Sequence, residues 1–159
     1  MPLSPSLALV GFLAASVVAA SSGVVFRPPP WYRSIAKPRW TPPNWVFPAV
    51  WTPLYGLIAL SGWLVWRHGG LAPLPFGFFA AQLVFNALWS ALFFGLRRPD
   101  LAFVDLVLLW LSILATLVSF ASIDGVAAVL LVPYLAWVTV AGALNVEVWR
   151  RNPTPLRAI

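Results

Sequence analysis

The chain has no cysteine, one histidine, one methionine and only four acidic residues among its 159 positions. Without thiols there can be no disulfide, thiolate zinc site, iron–sulfur cluster or thiol nucleophile. A haem iron takes His, Cys, Met or Tyr as axial ligand. The only histidine, His68, follows Arg67 and precedes two glycines, so it reads as a solvated loop residue; the methionine is Met1. Tyr55 and Tyr134 lie in apolar runs with no evident partner to deprotonate them. There is no Ser/His/Asp arrangement, phosphate-cradling glycine loop or metal-ligand cluster, so conventional hydrolytic, phosphoryl-transfer and metal-assisted chemistry lacks its parts. No metal and no resident cofactor is expected.

Charge is scarce as well, at 9% of residues, whereas 61% are apolar and mean hydropathy is +0.88. A soluble core of this size could not hide so much apolar surface. A bilayer core about 30 Å thick needs roughly 20 apolar residues of helix. Five such runs occur, at about 7–26, 45–66, 72–96, 101–122 and 125–149. The expected fold is an all-α membrane protein, one five-helix transmembrane bundle spanning 1–159. Bends are expected near Pro53 and Pro133, because spans tolerate proline where neighbouring helices re-satisfy the freed carbonyls. The first run has no Lys or Arg before it, unlike a cleaved signal peptide, and is expected to be retained. Its Gly11, Ala15, Ala19 and Gly23 predict a narrow face for close helix approach.

The net charge of +6 is topological before it is a binding surface, and no nucleic-acid partner is expected. Arg27, Arg33, Lys37, Arg39, Arg97, Arg98, Arg150, Arg151 and Arg157 fall at one set of span ends, and Arg67 alone at the other. The positive-inside rule then places the C-terminus in the cytoplasm and the N-terminus outside, favouring the cytoplasmic membrane. An even number of spans would destroy this asymmetry. Among the acids, Asp100 and Asp124 read as helix N-caps. Asp105 is expected to pair with Arg97 or Arg98, and Glu147 with Arg150.

The connection at 27–44 is unlike the other, short turns. It reads RPPPWYRSIAKPRWTPPN, with prolines stiffening the backbone and Trp31, Tyr32 and Trp40 as amphipathic rings suited to the membrane interface or to a lid. Within the spans, helical spacing puts Trp51 and Tyr55 on one face, Trp137, Ala141 and Leu144 on another, and Gln82, Asn86 and Trp89 on a third. Amides facing lipid are costly, so the third stripe should face inward. Flat apolar walls with a few polar anchors make a small-molecule site. The same residues serve equally well to fill a bundle and tie its helices together.

Trp31-Tyr32 followed by KPRWTPPNWVFPAVW resembles the signature of the TspO/MBR family of translocator and tryptophan-rich sensory proteins. The resemblance continues through QLVFNALWSALFFG from Gln82, LAFVDL around Asp105, VPYLAW from Val132 and LNVEVWRRN to Asn152, and the ten tryptophans suit it. It implies a five-helix bundle whose first loop closes over an interhelical pocket, with membrane lipid and a porphyrin such as protoporphyrin IX, or another flat apolar molecule, as partners. Trp31, Tyr32, Trp51, Asn86 and Trp137 carry over as pocket residues, Pro42 and Pro43 as shapers of the lid and Ala141 as a wall position. The implied role is transport or sensing. The alternatives are light- and oxygen-dependent porphyrin breakdown, with Trp31 and Trp137 as candidate catalytic rings, or a structural scaffold. The sterol-recognition pattern of animal members is interrupted by Val146 and Glu147, so sterol binding is not expected. The family's homodimers direct attention to Ala87, Ala91 and Gly95, a possible close seam on the third span.

Overall fold

A computed structural model describes residues 4–153. The expectation on Arg157 lies outside the described residues. Among the described residues seven helices form: α1 (Pro5–Val25), α2 (Trp31–Ser34), α3 (Val46–Trp66), α4 (Pro73–Ser90), α5 (Pro99–Ala121), α6 (Gly125–Leu130) and α7 (Val132–Arg151). A π-helical turn, Ala91–Gly95, extends α4. Five helical stretches are long and apolar enough to cross a membrane, with α6 and α7 together forming the fifth. Each lies within two residues of its expected bounds. Proline at the first or second helical position, where the missing N–H costs nothing, opens α1, α4, α5 and α7. Near Pro133 the last span breaks at Leu131 between α6 and α7, whereas α3 runs as one helix through Pro53.

Helix contacts close the spans into a ring. α1 packs on α3 and α4, α4 on α5, α5 on α6 and α7, and α6 on α3. At the end away from the first loop the ring is filled by Phe12, Phe76, Phe79 and Phe120, whose ring centroids lie 5.6–5.9 Å apart in successive contacts. Gly62 of α3 makes this packing possible: a Cβ there would come within 2.8 Å of Phe79 and 2.9 Å of Phe12.

Polarity is inverted relative to a water-soluble core. Ser16, Ser61, Gln82, Asn86, Asp105, Thr116 and Asn145 are buried, while Val17, Val18, Val104, Val118 and Val129 are exposed. That distribution suits hydrocarbon outside and hydrogen-bonding partners inside. The chain is an integral, multi-pass membrane protein.

Several local expectations are corrected. Gly11 and Ala15 face outward, and α1 meets the bundle through Ala8, Phe12, Ser16 and Ala19. Asp124 does cap α6, accepting from the amides of Val126 and Ala127 at 2.8 and 3.0 Å. Asp100 does not cap α5: that helix begins a residue earlier, and the carboxylate sits in its first turn, paired with Arg98 at 2.7 Å. Asp105 is buried with no hydrogen-bond partner for Oδ2 among the described residues, because Asp100 engages Arg98 and Arg97 turns to Trp31. Glu147 pairs with Arg151, four residues on, rather than Arg150. His68 is exposed, but its Nδ1 lies 3.0 Å from the Leu64 carbonyl and 3.7 Å from Asp124.

Candidate functional site

At the loop end the ring is hollow. A cavity of about 500 Å³ opens between α1, α3, the α4–π-turn span, α5 and α7, beneath the first loop. From α3 come Phe47, Trp51, Thr52 and Tyr55; from α4 and its π turn Asn86, Trp89, Ser90, Phe93 and Phe94; from α7 Trp137, Val138, Ala141, Leu144, Asn145 and Val148. Leu106 and Leu109 of α5 and Ala20, Gly23 and Val24 of α1 complete the sides, and Arg27, Pro28, Tyr32 and Asn44 stand at the loop end.

The walls are flat ring surfaces. Trp51 stacks on Tyr55 with centroids 5.3 Å apart and planes 26° from parallel, and Trp89 stacks on Phe93 at 5.2 Å with the same angle. Phe47 meets Trp137 edge-on at 6.0 Å. The π turn carries two consecutive rings, Phe93 and Phe94, that both line the cavity and meet edge-on at 4.9 Å.

A hydrogen-bonded chain supports the deep end. Tyr55 donates to Asn86 Oδ1 at 2.6 Å, Asn86 Nδ2 donates to the Tyr134 hydroxyl at 3.0 Å, and Tyr134 donates to Gln82 Oε1 at 2.9 Å. A second amide ties three helices: Trp89 Nε1 donates to Asn145 Oδ1 at 3.2 Å, and Asn145 Nδ2 donates to the Pro99 carbonyl at 2.7 Å. Trp137 Nε1 is buried with no hydrogen-bond partner among the described residues.

The first loop is fastened rather than free. Asn152, following α7, accepts from the Ala36 amide at 3.1 Å and donates to the Ala36 carbonyl at 2.9 Å. Tyr32 and Ile35 are buried beneath the loop. The Lys37 ammonium donates to the Tyr32 carbonyl and lies 4.5 Å from the Tyr32 ring centroid. Burial lowers the pKa of Lys37 and raises that of Tyr32, keeping the phenol neutral. Trp31 stacks on Phe93 at 6.5 Å, and the Arg97 guanidinium lies 5.5 Å from the Trp31 ring centroid. Arg97 has φ +54, a left-handed backbone conformation that is uncommon outside glycine.

Of the residues singled out from sequence, Tyr32, Trp51, Tyr55, Asn86, Trp89, Trp137, Ala141 and Leu144 come together on the cavity wall. The others lie elsewhere. Trp31 sits one layer out, against Phe93, and Gln82 lies behind Tyr134. Trp40 lines a separate outward groove between α5 and α7, with Trp110 and Gly142. Pro42 and Pro43 lead into Asn44, and the Pro43 carbonyl accepts from the Val46 amide at the start of α3. In the small-residue seam, Gly95 is occupied within the chain, since a Cβ there would meet Phe26 at 3.0 Å.

Sequence reasoning missed Asn145, Phe47, Phe93 and Phe94, and it read Arg27, with Arg33, Lys37 and Arg39, as topological before any attraction for a carboxylate. Asn145 carried the same signal as Asn86, an amide in an apolar run. Phe93 and Phe94 carried none, because nothing local in the sequence marks the π turn on which they sit.

Fold and cavity together define a polytopic α-helical membrane protein with an aromatic interior site under a fastened loop. Comparison with known proteins is specific as to family. The TspO/MBR family model matches residues 6–150. Protein CrtK of Rhodobacter capsulatus is 46% identical over 145 residues, covering 89% of this chain and 91% of that protein. The tryptophan-rich sensory protein of Cereibacter sphaeroides is 43% identical, covering 89% of each. The translocator protein of Bos taurus is 40% identical over 94% of this chain and 86% of its own. The chain belongs to the TspO/MBR family.

Proposed function

We propose that the protein binds a flat, largely apolar ring system of the tetrapyrrole class, such as protoporphyrin IX, in the interhelical cavity, in a transport or sensory role. The observation that carries this reading is the set of stacked aromatic walls from α3 and the α4 span around about 500 Å³ of space. That volume lies within the range of small-molecule sites. The names of the relatives, translocator and tryptophan-rich sensory protein, are consistent with it. Among the described residues no histidine, cysteine or methionine lines the cavity, the Tyr55 hydroxyl is committed to Asn86, and burial keeps the Tyr32 phenol neutral, so recognition would use the ring face rather than an axial bond to iron.

Tryptophan-fluorescence quenching by metal-free protoporphyrin IX tests the reading. Saturable binding that weakens at least tenfold in Trp51→Ala is expected, by the scale of lost aromatic contact. Haem-selective binding abolished by changing His68 would count against it. Absorbance followed in light and in darkness separates binding from breakdown: porphyrin bands lost only when protein, light and oxygen coincide would make the protein an enzyme.

Two further features belong to the same proposal. The basic ends of the spans face the cytoplasm, on the charge asymmetry. The chain forms a homodimer through the third span at Ala87 and Ala91, so Ala91→Leu weakens the dimer in crosslinking and leaves porphyrin quenching intact.

A further inference from the structure

Among the described residues, every one on the cavity wall is uncharged except Arg27. Of the other basic side chains near this end, Arg33, Arg39 and Arg150 are without a partner among the described residues but do not line the cavity, and four are engaged. Arg98 pairs with Asp100, Arg151 with Glu147, Arg97 lies over Trp31, and Lys37 donates to loop carbonyls. Arg27 has no ion pair, side-chain hydrogen bond or ring partner among the described residues. It follows the end of α1 and precedes Pro28, Pro29 and Pro30, whose fixed φ angles stiffen the chain that carries it. Its side chain is exposed at the mouth, with the aromatic walls below.

From this arrangement we infer that Arg27 is a specificity-determining residue, selecting ligands with an ionised carboxylate at one edge of a flat apolar body. The inference rests on the cavity being a ligand site, as proposed above. A guanidinium presents a planar fork of donors that matches a carboxylate with two parallel hydrogen bonds. At the mouth it keeps part of its hydration, so the pair avoids the desolvation penalty of a fully buried ion pair. The absence of any acid from the lining leaves no internal competitor for the guanidinium. The polarity of the site orients the ligand: its apolar rings descend toward Trp51 and Trp89, and its acid groups stay at the loop end. Neutral molecules of the same shape fill the walls and leave Arg27 unused.

The test compares protoporphyrin IX with its dimethyl ester, by quenching at pH 7 in a non-ionic maltoside detergent that offers no phosphate to compete. The wild-type protein should bind the diacid about tenfold more tightly than the ester, the factor one charge-assisted hydrogen-bonded contact supplies. Arg27→Gln should lose that factor for the diacid and leave the ester unchanged, and Arg27→Lys should retain part of it. Arg33→Gln, a change on the same loop but off the cavity wall, should bind both as the wild type does. Equal wild-type affinity for the two ligands would overturn the assignment. So would a loss in Arg27→Gln shared by both ligands, or a loss in Arg33→Gln as large as that in Arg27→Gln, which would indicate a diffuse field. Failure of both ligands to bind the wild-type protein would sink the cavity reading and this inference with it.

Discussion

Single side chains in this bundle matter where they fix how closely helices approach and how buried polar groups are paired. Gly62 admits two phenylalanine rings that no larger residue would tolerate. Gly62→Leu should therefore cost about 1–3 kcal/mol or more through overpacking, seen as a lower thermal midpoint in detergent. Gly56→Leu on the same helix, where a Cβ meets nothing within 4 Å, should leave the midpoint unchanged. Tyr134 is fully buried and is the centre of the amide chain. Tyr134→Phe leaves Gln82 Oε1 and Asn86 Nδ2 without their partner and should cost about 1–3 kcal/mol. Tyr55→Phe should cost less, because Asn86 Oδ1 then faces a cavity that admits water; thermal unfolding of the two variants side by side gives the order. That Gln82 and Asn86 point inward was legible in the sequence, since an amide in an apolar run has to find company. Their common partner was not, because Tyr134 lies 48 and 52 residues away and only the packing of α7 on the bundle brings it there.

Among the elements, the first loop behaves less as a linker than as a part bolted to the last helix. Its composition marked it out, but the fastening did not show, because a pair of hydrogen bonds between positions 36 and 152 leaves no local pattern. Asn152→Ala removes both bonds to Ala36. Hydrogen exchange of the amides from Trp31 to Lys37 should then accelerate, while amides around Phe79 in the closed end keep their protection. Equal exchange in the loop with and without Asn152 would show that the buried Tyr32 and Ile35 hold it unaided. The spans themselves were readable to within two residues, since length, hydropathy and proline placement are all local. The helix faces were less so. The Gly11, Ala15, Ala19, Gly23 stripe has the spacing of a packing face, yet only Ala19 of the four is buried, and α1 turns Ala8, Phe12 and Ser16 inward with it. Small residues permit close approach without demanding it, whereas Phe12 and Ser16 gain ring contacts and relief from lipid by turning inward.

For the molecule as a whole, the outward apolar surface, the inward polar one and the gathering of basic residues at one end form a single polarity. The lack of native cysteine makes it directly measurable. In intact cells an impermeant maleimide should label Gly69→Cys, in the turn after α3, and spare Ser34→Cys, at the end of α2 in the first loop; the reverse pattern would invert the proposed topology. The ring order has a further consequence, one of time. The fifth span bridges α5 and α3, supplies six cavity residues from α7 and ends in the asparagine that holds the first loop. It is also the last to be synthesised. A nascent chain with four spans in the membrane thus has an unclosed ring, an unfastened loop and no binding chamber, and the site comes into being only once the fifth span has joined them.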